Sequence, residues 1–109
     1  MREIKFRGKS FVNDKWVYGD LMHYEDNLLI EGFRVKNNTV GQFTGLLDMN
    51  EEESYEHDLL KDDYGDIWEV KFEEGKFIAE YDNVQVDLFD IVWKCEIIGN
   101  IHENKELLK

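Results

Sequence analysis

The sequence predicts a mainly β protein, α+β at most. Two observations carry this. Apolar segments are short, recur at intervals of roughly ten residues, and are separated by polar stretches of turn length rich in Asp, Asn and Gly. The chain is also well supplied with large rings, seven Phe, five Tyr and three Trp in 109 residues, enough apolar area for one packed core.

Taken in order, Ile4 and Phe6 alternate with Lys5 and Arg7, which predicts a strand with one apolar face. Phe11-Val12 and Trp16-Val17-Tyr18 flank Asn13-Asp14-Lys15 and predict a hairpin. A second meander is expected from Leu21–Tyr24, a turn at Glu25-Asp26-Asn27, and Leu28–Ile30. Asp62-Asp63-Tyr64-Gly65-Asp66 reads as a further turn. After it Trp68, Val70 and Phe72 share one face, Glu73-Glu74-Gly75 turns, and Phe77, Ala79 and Tyr81 answer on the return strand. Near-helical spacing of Val86, Phe89 and Asp90 predicts a helical turn over Val86–Val92. Glu96–Ile101 is expected as the last strand and Glu103–Leu108 as a short C-terminal helix. From Glu56 onward this order resembles an SH3-like barrel, so the expected architecture is a small β-barrel or roll with an SH3-like C-terminal portion. Such barrels host many tasks, and the pattern carries no function.

A single domain over residues 1–109 is expected, because no proline and no Gly/Ser-rich stretch separates its parts. Its charge is unevenly divided. Residues 1–47, the meander, carry seven basic and six acidic side chains; residues 48–109 carry six basic and 19 acidic. The total of −12 argues against a general nucleic-acid binder, so no direct nucleic-acid binding is expected. No apolar run exceeds three residues, too short for a membrane span or a secretory h-region. One cysteine, Cys95, allows no internal disulfide and fits a reducing cytosol.

Catalytic signatures are missing from the sequence. His23, His57 and His102 show no metal-ligand spacing, and no thiolate cluster exists, so neither a metal nor another cofactor is expected. Cys95 alternates with Ile97 and reads as a small core residue. Ser10 and Ser54 lie in no nucleophile elbow. Gly41-Gln42-Phe43-Thr44-Gly45 lacks the lysine and helix of a phosphate loop and reads as backbone freedom at a turn. Trp16, Trp68 and Trp93, with Phe72, Phe77 and Tyr81, are expected in the core, because base stacking also needs interleaved Lys and Arg. Runs of acids such as Glu51-Glu52-Glu53, Asp62-Asp63 and Glu73-Glu74 read as a solvated face.

Three stretches together resemble the YopX family of bacteriophage and prophage proteins. They are Arg2-Glu3-Ile4-Lys5-Phe6-Arg7; Val40-Gly41-Gln42-Phe43-Thr44-Gly45-Leu46 running on to Tyr55-Glu56-His57-Asp58; and Glu96–Asn104 with Glu106-Leu107-Leu108. Where such sequences usually have Glu-Gly-Asp this chain has Glu56-His57-Asp58, so His57 must tolerate positive φ if that glycine adopts it. The resemblance implies a phage accessory protein in the host cytosol and supplies no catalytic residue. Gly41, Gln42, Thr44, Gly45, Gly99 and Asn100 read as turn and strand-end determinants.

Three functional classes follow. The first is a non-enzymatic protein that binds a host or phage protein, with self-association through strand edges also open. The second is an acidic DNA mimic, with Asp62, Asp63, Glu73 and Glu74 filling a basic groove on a nucleic-acid-binding or defence protein. The third is a small nucleotide binder using Arg2, Arg7 and Arg34 on phosphate oxygens.

Overall fold

Two-residue hairpin turns organise the backbone. In the computed structural model, which describes residues 2–108, strands β3 (Leu21–Tyr24), β4 (Asn27–Ile30) and β5 (Phe33–Val35) form one antiparallel meander. Strands β9 (Ile67–Glu73), β10 (Lys76–Tyr81) and β11 (Val84–Asp87) form another. Three of the joining turns, Glu31-Gly32, Glu74-Gly75 and Asp82-Asn83, have positive φ at both central residues. That is the type I′ geometry whose twist matches paired strands.

The chain forms two compact units, Met1–Phe43 and Thr44–Lys109. In the first, β1 (Phe6–Lys9) pairs antiparallel with β2 (Trp16–Gly19), Lys9 opposite Trp16, and with Gly41-Gln42 at the start of β6 (Gly41–Leu47). Ile30 and Val35 are fully buried there, and a Cβ on Gly8 would lie 3.0 Å from that of Val35.

In the second unit β7 (Glu53–Tyr55) lies beside β6. A five-stranded antiparallel sheet has the order β11-β10-β9-β8-β12, with β8 at Asp58–Lys61 and β12 at Glu96–Asn100. Leu60, Val70, Ala79, Leu88, Val92 and Cys95 form its core. The α-helix Leu88–Ile91 (α1) runs into a 3₁₀ turn, Val92–Lys94, and a last 3₁₀ turn covers Lys105–Leu108.

The mainly β expectation holds, with 52% strand in three antiparallel sheets. No closed barrel forms among the described residues, so the expected barrel or roll is realised as open sheets. The late hairpin has the expected facing pairs: Phe72 and Phe77 rings meet edge-on with centroids 4.9 Å apart, and Trp68 and Tyr81 are tilted with centroids 5.5 Å apart. Glu73, expected in that turn, belongs to β9.

Other expectations are corrected. Phe11-Val12 lies in an exposed turn, and Phe6–Lys9 takes its place as partner of Trp16–Gly19. The first strand lacks the expected one-sided burial: Phe6 is half-buried, and Arg7 and Gly8 are both buried. Ile4 is exposed, whereas Arg7 is 8% exposed with its guanidinium 4.5 Å from the Trp16 ring centroid. Gly41–Gly45 is strand; only Gly45, at φ +86°, keeps the conformation of a bulge or turn. The helical turn starts at Leu88, two residues later than its spacing implied, because Val86 and Asp87 pair with Ala79 and Ile78. His57 does sit at φ +73°, between β7 and β8.

The Glu74-Gly75 turn gives a direct test. Nothing lies within 4 Å of a Cβ built on Gly75, so Gly75→Ala carries a purely conformational cost at φ +81°. Urea denaturation should show a loss of about 1 kcal/mol. An unchanged midpoint would rule out the left-handed turn.

Candidate functional site

The helical segment after β11 exposes side chains that its composition marks as apolar. Leu88 and Val92, four apart, point into the core, and Ile91 packs against it. Phe89 and Trp93 stand one position further round and face outward, 72% and 64% exposed. Because five of the six residues Leu88–Trp93 are apolar, a helix of this length cannot bury all of them on one side. That composition is the signal by which the sequence could have given up the site.

Leu46 and Leu47, at the end of β6, complete a cavity of about 350 Å³ with Phe89, Asp90, Val92 and Trp93. Leu47 is 44% exposed, and Met49 just beyond is exposed as well. The Trp93 indole Nε1–H donates to the Asp90 carbonyl at 3.0 Å, which fixes the ring on its own helix. Asp87 precedes the helix without capping it by its side chain; its carboxylate holds the Lys76 ammonium at 2.8 Å. That hydrogen bond and charge raise the Lys76 pKa above its usual range.

One buried carboxylate joins these pieces. Asp48, at the end of β6, accepts from the N–H groups of Asn50 and Glu52 through Oδ1 and from that of Ile97 through Oδ2, at 2.8–2.9 Å. The Met49 N–H adds a bond to the Cys95 carbonyl. The turn after Leu47 is thereby tied to the chain just after Trp93.

The residues predicted to bind partners are placed as follows. Asp62 anchors its own loop: Oδ1 accepts from the N–H groups of Tyr64 and Asp66, and Oδ2 from the Trp68 indole at 3.0 Å. Partial burial raises its pKa, but the Trp68 bond and the main-chain donors outweigh that and leave it lowered. Asp63 is exposed in the same loop. Glu73 accepts from the Gln85 amide, and Glu74 is exposed in the hairpin turn. The two acidic pairs flank opposite ends of seven-residue β9 and are separated by roughly 20 Å of strand. The structure does not bring them together. Among the basic residues Arg2 is exposed ahead of β1, Arg7 is buried against Trp16, and Arg34 lies over the Phe11 ring at 3.9 Å.

Of the rings expected in the core, Trp93, Phe72 and Tyr81 are exposed instead, and Trp16, Trp68 and Phe77 are half-buried. His57 and His102 meet in space with ring centroids 5.5 Å apart, and His57 Nδ1 lies 3.5 Å from Glu69 Oε2. Among the described residues no group of three or more His, Cys, Asp and Glu side chains could hold a metal ion, and no helix is long and apolar enough to cross a membrane.

Cys95 is fully buried, and burial, with the Asp62 charge adding to it, pushes its thiol pKa up to about 11. Iodoacetamide at pH 8 should therefore leave native protein unlabelled and label it fully in denaturant. Rapid native labelling would mean that Cys95 is accessible and reactive.

A family model described as YopX protein matches residues 5–109. A search of curated proteins finds no match.

Proposed function

The chain belongs to the YopX family, and within it we propose a phage-encoded accessory protein that acts without catalysis, by binding a host or phage protein in the host cytosol. The observation that supports this is the outward-facing Phe89–Trp93 pair beside Leu47. Aromatic side chains fixed on a rigid element, next to a shallow apolar cavity, are what dominates the energetics of protein interfaces. Trp93 is already held by Asp90, so little ring entropy is lost on binding. The rim carries Asp90, exposed, Asp87, paired with Lys76, and Lys94, 6.0 Å from the Trp93 ring centroid, on a unit that has 19 acidic against six basic side chains. An apolar knob flanked by Lys or Arg on the partner complements it.

The DNA-mimic reading draws on the same charge but places the contact at Asp62, Asp63, Glu73 and Glu74. Capture of partner from host lysate separates the two. Phe89→Ser with Trp93→Ser should abolish capture, since truncating a buried aromatic anchor costs about 2–4 kcal/mol. Lysine at positions 63, 73 and 74 should leave capture intact and flatten its salt dependence. The opposite pattern would replace the apolar contact with mimicry. Asp62 is left unaltered in this comparison because it holds Trp68.

A further inference from the structure

The first unit carries a cavity of about 470 Å³ that is chemically unlike the Phe89–Trp93 surface. The residues that give it character are Phe11, Asp26, Arg34, Lys36, Asn37 and Asn38. Its frame is rigid. The Phe11 N–H donates to the Arg34 carbonyl at 2.9 Å, Ser10 bridges to Val35, and the Lys36 N–H donates to the Lys9 carbonyl. Phe11, in the turn after β1, is thus held beside Arg34 of β5, and the guanidinium lies 3.9 Å from the ring centroid. Thr39 fixes the 3₁₀ turn Asn37–Thr39 by donating from Oγ1 to the Lys36 carbonyl and accepting the Lys9 N–H.

On that frame three polar groups are left for a ligand. Among the described residues the Arg34 guanidinium makes no ion pair, and the Asn37 and Asn38 carboxamides make no hydrogen bond. Both asparagines are exposed. The Lys36 ammonium, in contrast, is committed to Asp14 at 2.5 Å. A planar cation stacked on a ring, with carboxamides beside it, recognises a planar heteroaromatic carrying an anionic group. The guanidinium offers its outer face for stacking and its edge N–H groups for phosphate. Each carboxamide pairs a donor with an acceptor, the complement of a base edge. Asp26, an acceptor only, suits a sugar hydroxyl or an exocyclic amine and opposes phosphate on its own side.

We propose that this cavity binds a nucleoside phosphate through an unpaired base, with the base on the Arg34–Phe11 stack, its edge on Asn37 and Asn38, and its phosphate on Arg34. The volume is within the range of small-ligand sites. The first unit is near neutral, with seven basic and six acidic side chains, whereas the second, with six and 19, repels an anion. Exclusion of nucleic acid on the net charge of the whole chain averages over this division. The interleaving of cations with rings that base stacking requires is missing around Trp68–Tyr81 but present here, at Phe11 with Arg34 and at Trp16 with Arg7 and Lys9.

The ligand could be a free nucleotide or one unit of a single strand, and two arms of one experiment separate these. ¹⁵N-labelled full-length protein is titrated with AMP, GMP, CMP and UMP, and separately with a mixed-sequence single-stranded octanucleotide. Inorganic phosphate and adenosine serve as controls. Saturable amide shifts confined to residues 9–12 and 33–39 are expected. Tighter binding of the octanucleotide identifies the single strand as the source, and equal binding identifies the free nucleotide. Arg34→Ala should weaken binding roughly tenfold or more. Arg34→Lys keeps the charge without the planar stack and should lose discrimination among bases, as should Asn37→Ala with Asn38→Ala. Absence of saturable shifts in both arms overturns the proposal. So does an equal response to phosphate alone, or full binding by a folded Arg34→Ala protein.

Discussion

The Asp48 carboxylate is the constraint on which the second unit's outer surface depends. It is 5% exposed and receives three main-chain N–H groups, two from its own turn and one from Ile97, at the start of β12. A buried carboxylate without such donors would cost several kcal/mol, so the segments that supply them are held in one arrangement. That arrangement sets the end of β6 against the end of the helical segment. Leu46 and Leu47 come from one, Phe89 and Trp93 from the other. Apolar side chains that could not stay together on two loose loops become a single patch, because a polar group behind them is fully engaged.

The charge division of the sequence matches the structural one. No charged residue lies between Phe43 and Asp48, so the unit boundary at Phe43/Thr44 and the change from near-neutral to strongly acidic fall in the same stretch of β6. Each unit then has its own surface chemistry. The first sets cations on rings, Arg7 and Lys9 on Trp16, Arg34 on Phe11, Lys5 on Phe43. The second is strongly acidic around its exposed aromatics, with Lys94 set 6.0 Å from the Trp93 ring centroid. A surface that stacks and one that packs call for different ligands, which is why one whole-chain charge is a poor guide to either.

What could be read in advance depended on how local the determinant was. The Phe72–Phe77 and Val70–Ala79 facing pairs follow from period-two alternation about Glu74-Gly75, all within a dozen residues. Asn100 was legible as a strand-end residue, and its Oδ1 accepts from the N–H groups of His102 and Glu103. Gly99 makes room beside it, since a Cβ there would lie 2.3 Å from Asn104 Oδ1. Burial of Arg7 was not legible, because it rests on a ring nine residues away that becomes its neighbour only once β1 and β2 pair. The Asp48 clamp spans 49 residues, and the meeting of His57 with His102 spans 45, so neither leaves a local trace. Trp93 is exposed where a core position was expected, because Leu88 and Val92 already fill the inner face of the short helical segment.

The most direct measurement of the central claim places a photo-crosslinking phenylalanine analogue at position 89 and, in a second protein, at position 64. Tyr64 is equally an exposed ring, but it lies in the Asp62–Asp66 loop and lines no part of the cavity beside Phe89 and Trp93. Irradiation in host cells should give a discrete protein adduct from position 89 that disappears with Trp93→Ser, and none from position 64. Adducts from position 64 alone, or a position-89 adduct indifferent to Trp93, would contradict an apolar contact centred on Phe89 and Trp93.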